Sequence, residues 1–526
     1  MEIAGSRQTF PQSSISRLPP ELLVAILKFE LQSNYFMAES TIPTTDFYLR
    51  LYMRRLYTMR LVGKRWQEII DGTPTFWIFV LASLPPHVND TTILRSKTRP
   101  FSVVYAPGTE GKQPPVKDFL AMIAHTHSRW SAYTGPAVPE YLDAMGPLLQ
   151  EINLWTGFEE QFPAKPWELL GGSTTGLRHV ALYGVSIRWR MGMFFRLKSL
   201  TLNDVKRRWN GFKTGYILDF LHASPCLEHL RLESLHTTIT IEDAPPSIIT
   251  LPRLRSIRLY DCQDLVTEPI LQHIRAPSCI NFSLSVPKAD SPEGAHRLME
   301  EVLLPFQGII RTIHECHGDS EIGLGFSEFS WHTPRLSDKD HQFNVSLSGA
   351  ALMIAMRWVE EILGPNSSLS LHFPICFNDA ILEIIAPTRC VTKVVITPSR
   401  GREDFLRILS FLARRLLVNP SLPALPRLRE IILTSSEWTA QDILSFVCSR
   451  CNPPSLETAE QPLLVITMRR RWVPFRNGPQ PVLDYAVLTK IREHKSVERV
   501  EFVGLKARDG MLAVIWNEEL SQPQWC

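Results

Sequence analysis

The residues best suited to chemistry are few and scattered. Cys448 and Cys451 stand in Cys-x-x-Cys spacing, half of a zinc site. A structural zinc needs a second pair of ligands with matching geometry. The other dense group, His314-Glu315-Cys316-His317, lies far upstream. No strand-to-helix context around Cys448 supports a thioredoxin-like motif. His125 and His127, just ahead of Ser128-Arg129-Trp130, could supply a general base. A base needs a partner acid or nucleophile, and none is apparent, so packing and capping roles are expected. Gly171-Gly172 precede Ser173, but no Lys-Ser/Thr pair follows, so they read as a turn before a strand at Leu177. No nucleophile elbow, phosphate loop or dinucleotide fingerprint occurs. The expectation is therefore a protein that is not an enzyme, with no metal and no cofactor. A weaker alternative is a hydrolase hidden between residues 290 and 420.

The question then becomes what the scaffold presents. A chain of 526 residues exceeds one ordinary core, so several domains or a repeat array are expected. The net charge of +3 is small, and the clusters Lys206-Arg207-Arg208 and Arg469-Arg470-Arg471 are short. Neither gives the concentrated basic face that nucleic acid or an acidic membrane would need. No run of 18 apolar residues suggests a membrane span, and Met1 to Pro20 carry no apolar signal core. Nine scattered cysteines suggest reduced thiols, hence an intracellular protein of the cytoplasm, the nucleus or both.

Residues 1–14 read as a disordered tail. After them, Pro20 and Glu21 suit a helix start, the first through its missing N–H and the second through the helix dipole. Leu22, Leu23, Ile26 and Leu27 form an apolar face. Residues 33–46 read as a loop, about 47–61 as a second helix, and Lys64 to Ile70 as a third bearing Trp66, Ile69 and Ile70. Three helices of this size form a thin core whose uncovered apolar surface would mark a binding site.

These residues resemble an F-box: Leu18-Pro19-Pro20-Glu21, Ile26-Leu27, Leu61-Val62-Gly63-Lys64-Arg65-Trp66, Ile69-Ile70 and Phe76-Trp77 match that family's pattern in order. The stretch between Leu27 and Leu56 is longer than the family's compact form. With His127-Ser128-Arg129-Trp130 it looks like the large fungal F-box families. The resemblance implies an F-box domain over 15–80 that binds a Skp-family adaptor and, through it, a cullin scaffold. It implies adaptor contacts at Leu18, Pro19, Glu21, Leu22, Ile26, Leu27, Leu61, Val62, Trp66, Ile69 and Trp77. It further implies a substrate receptor of an SCF-type ubiquitin ligase, or alternatively a non-degradative scaffold using the same helices.

Beyond Trp77 a unit Leu-x-x-Leu-x-Leu recurs, as at Leu149–Leu154, Leu177–Leu182, Leu197–Leu202, Leu227–Leu232, Leu254–Leu259 and Cys279–Leu284. Its starts fall about 20 to 30 residues apart, the period of leucine-rich repeats. Each unit would give a strand whose alternate residues point into a shared core. The expected fold class is a three-helix F-box followed by a leucine-rich-repeat-like α/β solenoid over 85–505, irregular from about 287, with a tail over 506–526. A mixed α/β domain whose strands share the pattern is the alternative. The residue between the last two apolar positions should face outward: Ala181, Thr201, Arg231 and Arg258. Arg231 and Arg258 are thus candidates for binding an acidic or phosphorylated protein substrate.

Overall fold

The computed structural model describes residues 18–32, 42–105, 113–156, 167–204, 213–235 and 248–285 with single-residue breaks, and beyond 296 chiefly the helices Gly349–Leu363, Arg402–Ala413, Ala440–Cys451 and Tyr485–Arg492 and the strands named below. The chain is mixed helix and strand, dominated by parallel pairing. It divides into two compact units, Met1–Gly211 and Phe212–Cys526.

The first unit opens with α1 (Pro20–Gln32), α2 (Ile42–Arg60) and α3 (Lys64–Gly72). Helix α2 starts within the stretch expected to be loop. Its Pro43 lies in the first turn, where the missing N–H costs no hydrogen bond, so the Pro-Thr-Thr run opens a helix. Gly63 separates α2 from α3 in extended backbone (φ 171°). Residues 1–14 and the group at 314–317 lie outside the described residues.

The helices bury Leu27, Leu31, Leu49, Met53, Leu56 and Ile70 around Phe76 and Trp77. Trp77 donates its indole N–H to the Ile70 carbonyl (2.9 Å), and Tyr52 donates its hydroxyl to the Phe76 carbonyl (3.2 Å). The same core continues without a seam into Phe79 and Leu81 of β1 (Phe79–Leu81) and Val104 of β2 (Phe101–Val104). A domain edge between residues 80 and 85, as the sequence suggested, therefore cuts through packed side chains. An ionic bracket crosses the same line. Asp71 of α3 pairs with Arg60 of α2 (Nε to Oδ1, 2.8 Å) and with Arg95 of α4 (Pro86–Arg95). The Arg95 guanidinium sits 4.6 Å above the Trp77 ring.

Strands β1 and β2 are followed by β3 (Trp130–Pro136), β4 (Glu151–Trp155), β5 (His179–Tyr183) and β6 (Ser199–Asn203), each parallel to the one before. Register aligns Ile152 with Val180 and Leu200, and Leu154 with Leu182 and Leu202, all buried. These are the last two apolar positions of the repeated unit. One side chain caps β1 at its last residue. Asn89 is buried; its Oδ1 accepts from the Leu81 N–H (3.1 Å) and its Nδ2 donates to the Leu81 carbonyl (2.9 Å).

The second unit repeats the pattern in β7 (His229–Glu233), β9 (Ser256–Tyr260), β11 (Asn281–Ser285) and β14 (Gln342–Ser346), parallel in that order; β8 (Ile249–Thr250) and β10 (Ile274–Arg275) pair separately. The residue after the strand takes a left-handed conformation at Gly184, Asp204, Ser234 and Asp261. Three of these are polar non-glycines at a position that L side chains seldom adopt, and Asp tolerates it better than most. The shared strained turn, recurring in both units, is independent evidence that the sequence units are structurally equivalent.

Where the sequence pattern loosens, one strand reverses. Strand β13 (Glu328–His332) runs antiparallel to both β12 (Ser320–Gly325) and β14, which themselves keep the direction of the parallel strands beside them. Parallel order resumes through β15 (Leu369–Phe373), β16 (Val391–Ile396), β17 (Glu430–Leu433), β18 (Leu464–Arg470) and β19 (Val497–Gly504). Here Val394-Val395-Ile396 and Ile431-Ile432-Leu433 are buried without alternation, the mark of parallel strands covered on both faces. The segment read as a tail contributes the two-residue strands Val514–Ile515 and Gln524–Trp525.

Candidate partner-binding surface

Helix α1 carries two apolar rows. Leu23, Leu27 and Leu31, at i, i+4 and i+8, are buried in the three-helix core. Leu22, Ile26 and Phe29, at i, i+4 and i+7, face solvent, with Phe29 75% exposed. The two rows sit about 100° apart, since neighbouring residues step by that angle around a helix of 3.6 residues per turn. Among the described residues nothing covers this second apolar face. Exposed groups of that kind mark interaction sites.

The turn between α2 and α3 also exposes apolar side chains. Leu61 and Val62 are 86% and 63% exposed, held out by backbone bonds from their N–H groups to the Thr58 and Met59 carbonyls (3.0 and 3.2 Å). Arg65, three residues on, donates to the Leu18 carbonyl, fastening the start of α3 to the chain entering α1. Leu18 is half-buried at that junction, and Pro19 and Glu21 are exposed beside it.

Of the sequence-based set, Leu18 is half-buried and Pro19, Glu21, Leu22, Ile26, Leu61 and Val62 are exposed. Trp66 and Ile69 are half-buried against the core. Leu27 and Trp77 are corrected: both are buried, at 2% and 0% exposure, so they hold the helices together and cannot touch a partner. Phe29 was missed, as was Phe47, which is also exposed. Phe29 continues the Leu22–Ile26 row by one helical step, a signal present in the spacing.

The other candidates resolve as structural. Trp130 is buried, donates to the Thr126 hydroxyl (2.9 Å) and stacks on Tyr133; His127 meets its ring edge-on at 4.5 Å. Arg129 reaches across to the Ser96 hydroxyl and the Arg99 carbonyl (3.1 Å) and lies 4.9 Å from the Phe101 ring. The His-Ser-Arg-Trp run therefore clamps β3 to the connection between α4 and β2. Burial, with a smaller contribution from His125, pushes His127 below the ordinary histidine value.

Cys448 is exposed in the helix Ala440–Cys451, whose Arg450 is buried and donates to the carbonyls of Ala424 (2.8 Å) and Leu425 (3.0 Å). Burial pushes the Cys262 and Cys279 thiols up to about 11 and about 12, which keeps them protonated and unreactive. Among the described residues no group of three or more His, Cys, Asp or Glu could hold a metal ion, and no helix is long and apolar enough to cross a membrane.

Arg231 and Arg258 are register partners on β7 and β9. Arg258 is exposed and Arg231 half-buried. Arg231 Nε donates to Glu233 Oε1 at 2.7 Å. The outward assignment made from the sequence unit holds at both positions. Compared with family models and with curated proteins, the chain matches none.

Proposed function

We propose that this chain is the substrate receptor of an SCF-type ubiquitin ligase. In that reading α1–α3 form an F-box that binds a Skp-family adaptor, and the adaptor links the chain to a cullin scaffold. The strand units form a leucine-rich-repeat-like solenoid that holds a protein substrate. The observation carrying the proposal is the second apolar row of α1, Leu22, Ile26 and Phe29, in the helices whose sequence resembles an F-box. Burying such side chains contributes about 1.5–3 kcal/mol each, and among the described residues no core uses them. The work done is proximity: a tethered substrate meets a ubiquitin-charged enzyme at high effective concentration, while other subunits perform the chemistry.

The test is titration calorimetry of the purified full chain with a Skp-family adaptor, followed by co-purification of the cullin. Binding in the nanomolar to micromolar range that brings the cullin along is the expected result. No adaptor binding by folded protein overturns the proposal, and adaptor binding without cullin favours a non-degradative scaffold.

A further inference from the structure

The outward face of β7, β9 and β11 is charged in an unbalanced way. Register places His229, Ser256 and Asn281 in one cross-strand row, Arg231, Arg258 and Ser283 in the next, and Glu233, Tyr260 and Ser285 in the third. The central row sets two guanidiniums side by side on adjacent strands. Like charges directly across a sheet are destabilising. Later in the same unit the matching situation is solved by complementarity: Lys393 on β16 faces Glu430 on β17 at 3.3 Å. On β7 and β9 one carboxylate, Glu233, serves two arginines, and it is committed to Arg231. Arg258 is exposed with no ion-pair partner among the described residues. Beside it Tyr260 is 58% exposed in mid-sheet, a residue type that, with Arg, is enriched where binding energy concentrates.

From this juxtaposition we infer that Arg258, flanked by Arg231 and Tyr260, is the anchor of a site for an acidic segment of a partner polypeptide, a carboxylate side chain seating on the Arg258 guanidinium. Guanidinium and carboxylate match as a two-pronged fork. The charge count decides between a carboxylate and a phosphoryl group. Among the described residues the outward positions of these three strands carry Arg231, Arg258 and Glu233, which leaves one positive charge for a single carboxylate to neutralise. A phosphoryl group, carrying close to two negative charges, would remain half unmatched and would meet Glu233. The hydroxyl and amide groups of Ser283, Ser285 and Asn281 supply neutral hydrogen-bond partners for the rest of the segment. This gives the receptor reading above its substrate class, and the test below uses no adaptor, so the two can fail separately.

A random dodecapeptide phage library is selected on the immobilised full chain and on its Arg258→Gln variant, with Arg253→Gln, an exposed arginine outside the strands, as control. The best peptides are then synthesised for fluorescence anisotropy, together with copies in which each Asp or Glu becomes Gln or phosphoserine. Expected are acidic peptides from the parent and the Arg253 control, at least tenfold weaker binding to Arg258→Gln, and weaker binding of the phosphoserine copies. Peptides without acidic enrichment, or equal binding by parent and Arg258→Gln, overturn the site. Tenfold tighter binding of the phosphoserine copies overturns the carboxylate assignment. A circular-dichroism melt of Arg258→Gln matching the parent's excludes misfolding as the cause.

Discussion

Two surfaces of this chain are open to solvent for opposite reasons. The outer row of α1 is apolar on a helix whose inner row is already packed, and the outer face of β7–β11 is polar on parallel strands, which ordinarily have both faces covered. The first would bind by removing carbon from water, a strong and undirected force. The second would bind by charge and hydrogen bonds, which discriminate among partners more than they add affinity. A receptor needs both qualities: a fixed attachment to common machinery and a selective hold on particular cargo.

The largest expected effect tests whether the helical surface stands alone. A chain ending near residue 82 keeps α1–α3 but loses Val104 and Arg95, which complete their core and ionic bracket. It should melt far below a chain ending at Gly211, or fail to fold, as scored by circular dichroism. If residues 10–82 fold with undiminished stability, the shared core matters less than its packing indicates.

Next, Leu22→Ala, Ile26→Ala and Phe29→Ala together should weaken adaptor binding at least a hundredfold, about 2.7 kcal/mol, with the melting temperature unchanged. The inner row reports the converse: Leu27→Ala should cost about 2–5 kcal/mol of stability. Salt separates the two surfaces further. Raising it from about 0.05 to about 0.5 M shortens the screening length severalfold. Adaptor affinity should hardly move, while acidic-peptide affinity at Arg258 should fall.

Smaller again is Asp71→Asn. It leaves Arg60 and Arg95 without their carboxylate, and a cost of about 1–3 kcal/mol is expected from chemical denaturation. The smallest effect is a pH dependence at His127. Its folded-state value lies below the unfolded one, so the fold holds the neutral ring. The stability this represents is complete above about pH 6.5, the unfolded value, and is lost as pH falls below it. The parent's melting temperature should drop between pH 7 and pH 5.5 more steeply than that of His127→Gln; equal slopes would remove His127 from the account.

The starts of α1 and α3, the strand period and the outward arginines were legible because each depends on local spacing. Leu27 and Trp77 were misassigned for a different reason. Periodicity shows which positions are apolar, and α1 has two apolar rows, so only tertiary packing tells which row the molecule covers itself. The reversed strand β13 was seen only as a loss of pattern, since strand direction leaves no trace in side-chain alternation. The role of His127–Trp130 was likewise hidden: Arg129 finds its partners more than thirty residues upstream.

Asn89 imposes a polarity on how such a chain can change over evolutionary time. By offering both a donor and an acceptor to Leu81, its amide imitates one residue of a neighbouring strand and occupies that end of β1. An extra unit inserted ahead of β1 would have to displace that amide and reopen the helical core behind it. One duplicated between later strands would meet the same parallel register on both sides. Lengthening upstream therefore costs the Asn89 bonds that lengthening downstream leaves intact, and an unfolded neighbour's strand meets the same cost when it tries to add at Leu81.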